Sequence, residues 1–193
     1  MRVSREKFAE NREKIILVAG RMFRERGFDG VGVADIMKAA GFTHGGFYGH
    51  FQSKDELAIE VCKGLIAKVE DRWSEIIASN PARPLAALLE HYISWCMIDD
   101  PSDSCVFAAL MHEVSRSEGE MRKVFNDGLS MLADLLAQIA PGATTQEKRK
   151  NGLTTLASMM GAINLARAVE DRALAAEILS SMREKLGARA LQS

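Results

Sequence analysis

Between Thr43 and Phe51 the chain reads Thr-His-Gly-Gly-Phe-Tyr-Gly-His-Phe. Phe47 and Phe51 are four residues apart, large and apolar. On a short helix they share one face, and His44, Gly45 and Tyr48 share the other. An imidazole and a phenol held away from a core are ligands for a nucleic-acid groove or a phosphate. Three glycines in so short a helix cost roughly 2–3 kcal/mol against alanine. A sequence carries that cost where its backbone must come close to something else. Other chemistry finds little support. There is no glycine-rich phosphate loop, nucleophile elbow or metal-ligand cluster, and His112-Glu113 lacks the second histidine of a zinc motif. The competing class is an all-helical enzyme using Cys105 or His112, with no motif behind it. No cofactor and no metal are expected.

The elements that must position this face are helical. The four prolines, Pro81, Pro84, Pro101 and Pro141, fall at plausible helix boundaries, and alternating β-branched runs are absent. The pattern predicts an all-α chain of about nine helices. The first runs from about Ser4 to Arg26, with Ile15, Ala19, Met22, Phe23 and Arg26 as its stripe, and Gly27 stops it. A second spans Val33–Ala40 and ends at Gly41. Thr43 caps a short third helix reaching Phe51, and Ser53 caps a fourth to about Ser79. Further helices are expected over Leu85–Ile98, Cys105–Ser115, Gly119–Ile139, from Thr144 or Thr145 to Ala168, and over Ala173–Leu186. The helix, glycine turn and short helix from Asp35 to Phe51 have the make-up of a helix-turn-helix.

Charge follows the same division. Residues 1–54 carry ten Lys/Arg against six Asp/Glu, and residues 55–193 carry fifteen against twenty, within an overall net charge of −1. A basic head on an acidic body suits a polyanionic partner. Cys62, Cys96 and Cys105 form no disulfide framework. No apolar run approaches the ~20 residues of a membrane span, and the charged start lacks a signal peptide's apolar stretch. No membrane partner and a cytoplasmic location are expected.

Residues 27–57 resemble the N-terminal domain of the TetR family of bacterial repressors. The resemblance rests on Gly27-Phe28, Val33-Ala34-Asp35-Ile36, Ala40-Gly41, Thr43, Tyr48-Gly49-His50-Phe51 and Ser53-Lys54-Asp55-Glu56-Leu57. It implies a DNA-binding domain over residues 1–53 and a helical effector-binding and dimerisation domain over 54–193. It implies a homodimeric repressor, released from a palindromic double-stranded operator by a small-molecule effector. By position it implies that Thr43 and His44 reach bases or phosphates, that Gly45 lies beside them, and that Tyr48, His50 and Lys54 bind phosphate oxygens. One position departs: Gly32 stands where the family usually has a capping Ser or Thr.

For the body, the candidate effector residues are Trp73, Trp95, Phe107, Met111, Met160 and Asn164. Ala157, Gly161 and Ala168 are small enough to let two helices meet across a dimer. Cys105, at a helix start where backbone N–H groups stabilise a thiolate, is the candidate for an alternative signal, oxidants or electrophiles.

Overall fold

In the computed structural model, residues 5–190 are described. Among them there is no strand, and nine α-helices and two short 3-10 segments account for the secondary structure. The helices are α1 (Arg5–Arg26), α2 (Val33–Ala40), α3 (Lys54–Ser79), α4 (Pro84–Tyr92), α5 (Cys96–Asp99), α6 (Val106–Val114), α7 (Gly119–Ile139), α8 (Thr145–Ala168) and α9 (Arg172–Ala190). The expected first residue of the first helix, Ser4, lies outside the described residues. The chain forms two compact units. One comprises the described residues through Ile66 together with Pro101–Val124; the other comprises Ala67–Asp100 and the chain from Phe125 on. No described helix is long and apolar enough to cross a membrane.

In the first unit, α1 packs on α2 and α6, and α2 packs on the 3-10 segment His44–Gly49. The α1 stripe behaves as its spacing predicts at Ile15, Ala19 and Phe23, all fully buried. Its last member does not. Arg26 is exposed, because α1 ends there and Gly27 turns the chain away with φ +75°. Gly41 ends α2 in the left-handed region at φ +80°, where its N–H reaches Lys38 O and the Phe42 N–H reaches Met37 O at 2.8 Å. A residue with a Cβ resists that conformation.

In the second unit, α8 packs on α9, α4 on α9 and α5 on α8. Thr144 starts α8 with a full capping box: its Oγ1 accepts from Glu147 N, and the Glu147 carboxylate accepts from Thr144 N. The expected single helix over Leu85–Ile98 is two. Ile93 leaves the helical region at ψ 71°, and the Ser94 hydroxyl donates to His91 O at 2.8 Å, taking a carbonyl the ladder would have used. A short α5 resumes at Cys96, and Arg167 of α8 donates to Met97 O within it.

Candidate nucleic-acid interface

The segment His44–Gly49 is a 3-10 helix rather than the α-helix expected, with Gly46 N bonded to Thr43 O at 3.0 Å and His50 N to Phe47 O at 2.8 Å. Glycines at three of its six positions explain the weaker form, since each lowers helical stability. Thr43 stands at the N-cap with extended backbone, but its hydroxyl makes no cap hydrogen bond. The expected side-chain cap is therefore absent; Thr43 is exposed and its hydroxyl is not spent on the turn.

The two faces sort as the spacing predicts. Phe47 and Phe51 are 0% and 2% exposed, their rings 5.6 Å apart. His44, Gly45, Tyr48 and Gly49 are all exposed, Tyr48 by 66%. The Tyr48 ring sits edge-on to both His44 and Phe47, at 6.2 and 5.4 Å between centroids. The phenol is thus steered by a buried ring while its body faces outward. A Cβ built on Gly45 or Gly49 meets nothing within 4 Å, and neither has positive φ. The fold itself does not need glycine at either place.

Lys54, a phosphate ligand in what the resemblance implies, also serves the fold. Its ammonium turns back and donates to Phe28 O at 2.8 Å and Val31 O at 3.3 Å. The first turn of α3 is also partly satisfied from within, because Ser53 Oγ accepts from Glu56 N and the Glu56 carboxylate accepts from Gln52 N. Two of the three ammonium donors therefore brace the turn between α1 and α2. The same turn is held from its other side by Glu113 of α6, whose carboxylate accepts from Phe28 N at 2.6 Å. Burial, and secondarily the Glu113 charge, push the neighbouring Cys62 thiol up to about 12. Lys54 and Glu113 also line a surface cleft of about 450 Å³ with Phe28, Ile59 and Met121.

His50 is half-buried beside α1. Its ring stacks on Phe8 at 4.2 Å, and burial, followed by the Arg12 charge, lowers its pKa below the usual imidazole value. Arg12 lies over the Phe51 ring at 4.6 Å and pairs with Glu60. The sequence reading missed Phe8, Arg12 and Glu113. For the first two a signal existed, because Phe8 and Arg12 continue the Ile15–Ala19 stripe toward the start of α1. Glu113 is 85 residues from Phe28, and no local pattern marks that bond.

The remaining candidates do not converge on one place. Trp73 and Met160, in the second unit, are buried at 2% and 3%, and Trp73 is edge-on to Tyr92. Trp95 and Asn164 are half-buried in that unit, with the Arg172 guanidinium 4.2 Å over Trp95. Phe107 and Met111 belong to the first unit, Phe107 sealed and Met111 partly exposed. None of these six lines the 450 Å³ cleft. Cys105 is the N-cap residue of α6 and is 6% exposed. Ala157 and Ala168 are exposed on α8, and a Cβ on Gly161 would meet open space. No group of three metal-binding side chains occurs among the described residues.

Comparison with known proteins adds to this geometry. Residues 15–61 match the family model described as bacterial regulatory proteins, tetR family. The chain is 33% identical over 89 residues to the transcriptional regulator AcrR of Shigella flexneri, covering 46% of this chain and 41% of that one. It is 25% identical over 133 residues to the transcriptional repressor NemR of Escherichia coli strain K12, covering 67% and 66%. These matches span less than two thirds of either relative. A TetR transcriptional regulator from Chloroflexus aurantiacus superposes with a TM-score of 0.82 at 24% identity, over 97% of this chain and 98% of that one.

Proposed function

We propose that the chain is a TetR-family transcriptional repressor that binds a double-stranded operator; the match of residues 15–61 to that family's model and the superposition on a TetR regulator support the reading. One observation carries the reading: the exposed His44–Tyr48 face stands on the buried Phe47–Phe51 pair, inside the segment the family model matches. A rigid apolar base fixes the direction of side chains that can donate to base edges and phosphate oxygens. Thr43, with an unspent hydroxyl, opens the same face.

The protein acts as a homodimer in this reading. Leu153, Ala157, Gly161, Leu165 and Ala168 follow one another along α8 at helical spacing, with Leu153 and Leu165 exposed by 47% and 59%. Leu174 of α9 adds 43% exposure. A self-complementary patch of this kind gives two-fold symmetry, and two heads then read half-sites ~34–36 Å apart. Release follows binding of an apolar small molecule in the helical body, with Trp95 and Asn164 as the accessible candidates there. A second reading places the signal at Cys105. It is favoured by the packing of α6 on α1 and by Arg24 of α1 donating to Ser102 O, three residues before the cysteine. Equal release of DNA by a quinone from the parent and from Cys105→Ser would dismiss it.

The function is tested by genome-wide selection of DNA bound by the purified protein. A short, nearly palindromic sequence should be enriched. Tyr48→Ala should weaken binding to every duplex, whereas His44→Ala should shift base preference at one or two positions. Recovery of no preferred sequence would refute the reading.

A further inference from the structure

The imidazole of His50 has one nitrogen with no visible use. Its Nδ1 is buried and has no hydrogen-bond partner. The ring is covered on one face by Phe8 of α1, centroids 4.2 Å apart and planes 27° apart. Phe8 is itself 42% exposed, an apolar ring left at the surface next to the recognition segment. Its position is not explained by burial alone.

The chemistry of the closed side decides what the open side can be. At neutral pH the ring carries one N–H, since burial and the Arg12 guanidinium both oppose the cationic form. If that proton sat on Nδ1, a buried donor would face no acceptor. Orphaned N–H groups are tolerated less well in protein interiors than orphaned acceptors. The proton therefore belongs on Nε2, and Nδ1 keeps its lone pair. A phosphate oxygen only accepts, so a ring locked with Nε2–H offers it the one form that fits. The opposite tautomer would present a lone pair to an anion.

We propose that Phe8 is a positioning residue for DNA binding, stacking on His50 so that the imidazole presents a fixed Nε2–H donor to the phosphate backbone. This rests on the reading of His50 as a phosphate ligand. Arg12 supports the same corner from α1, held over Phe51 and paired with Glu60. The first helix thereby sets the state of a contact made by the recognition segment. The imidazole donor is uncharged, so the contact adds a hydrogen bond to phosphate without neutralising it and releases no counterion.

Two measurements on the full-length protein test this. The first is the ¹⁵N shift pair of the His50 ring in the free protein, which reports tautomer without DNA. The parent and Phe8→Tyr should show Nε2–H with a bare Nδ1, and Phe8→Ala should show exchange between tautomers. The second is affinity for a mixed-sequence 30-base-pair duplex across a salt series. Phe8→Ala and His50→Ala should each weaken binding by roughly tenfold to a hundredfold, the size of one hydrogen bond to a charged acceptor. Both should leave the slope of log K against log salt unchanged, where a lost cationic contact would lower it by ~0.9. Phe8→Tyr should bind like the parent. A parent ring with Nδ1–H, or an unchanged tautomer in Phe8→Ala, would overturn the inference while leaving the phosphate reading intact. Full-strength binding by His50→Ala, with the tautomer as stated, would remove the phosphate role and the proposal with it.

Discussion

Alanine at Gly45 and Gly49 should move stability and DNA affinity in opposite directions. Both glycines have ordinary negative φ, and a Cβ built on either meets nothing within 4 Å. The folded protein accepts the methyl groups without strain. The unfolded chain loses freedom, which is worth ~0.4–1 kcal/mol per site, so the double variant should gain about 1–2 kcal/mol. For a chain of this length that raises Tm by roughly 2–8 °C. If the glycines exist to bring backbone against a sugar-phosphate strand, the same methyl groups hold the duplex off. Losing even one hydrogen bond to a phosphate oxygen costs ~1.5–3 kcal/mol, a fall in affinity of about tenfold or more. Gly46 is the internal control, because its Cβ would point to Met37 Cε at 3.6 Å and Thr43 Oγ1 at 3.7 Å, toward its own domain. Gly46→Ala should keep its affinity. Thermal unfolding and fluorescence anisotropy on the selected operator read the two quantities. Higher Tm with unchanged affinity would refute the close-approach argument. A fall in both would show that the fold itself needs these glycines.

Three other substitutions probe separate parts of the molecule. Gly27→Ala combines a left-handed φ of +75° with a Cβ that would overlap Glu113 Oε1, so chemical denaturation should show a loss of about 2–4 kcal/mol; a loss under ~0.5 kcal/mol would mean the turn relaxes freely. Lys54→Met removes two donors from Phe28 O and Val31 O and should cost roughly 1–3 kcal/mol of stability. Its third donor predicts a salt slope shallower by ~0.9, and an unchanged slope would confine Lys54 to bracing. Gly161→Glu and Leu165→Glu put charge on the exposed α8 stripe, which should give folded monomers in sedimentation with much weaker operator binding; an intact dimer in both would dismiss that interface.

The parts of this architecture that were legible beforehand are those governed by short-range pattern. The bounds of α2 and α7 follow from Gly41, Gly119 and the apolar spacing, and the inward turn of Phe47 and Phe51 follows from a separation of four. The misreadings have local physical causes that spacing does not encode. The break after Tyr92 depends on a hydroxyl reaching back to His91 O. The 3-10 form of His44–Gly49 depends on how much helical stability three glycines remove, which a face pattern does not weigh. Lys54 is the instructive case. At a helix start it reads as an anion ligand, and spacing does not show that its stem is also long enough to fold two donors back onto carbonyls of a turn 23 to 26 residues earlier.

That case separates two kinds of residue within one motif. Gly27, Phe47, Phe51 and Lys54 serve the head itself: a left-handed turn, two core rings, and an ammonium that ties the turn between α1 and α2 to the start of α3. Thr43, His44, Tyr48 and the outward glycines contribute little to the fold, and their exposure has no internal cause. Residues of the first kind make the resemblance specific for architecture. Residues of the second kind can be changed at little cost to the fold, so in the proposed complex His44 is free to set base preference while Tyr48 serves any sequence. His50 belongs to both sets, with one nitrogen enclosed against α1 and the stacked ring beside the exposed face. In the proposed contact with DNA its donor is set beside Phe8, a residue outside the resemblance, so the motif alone leaves out part of what would determine binding.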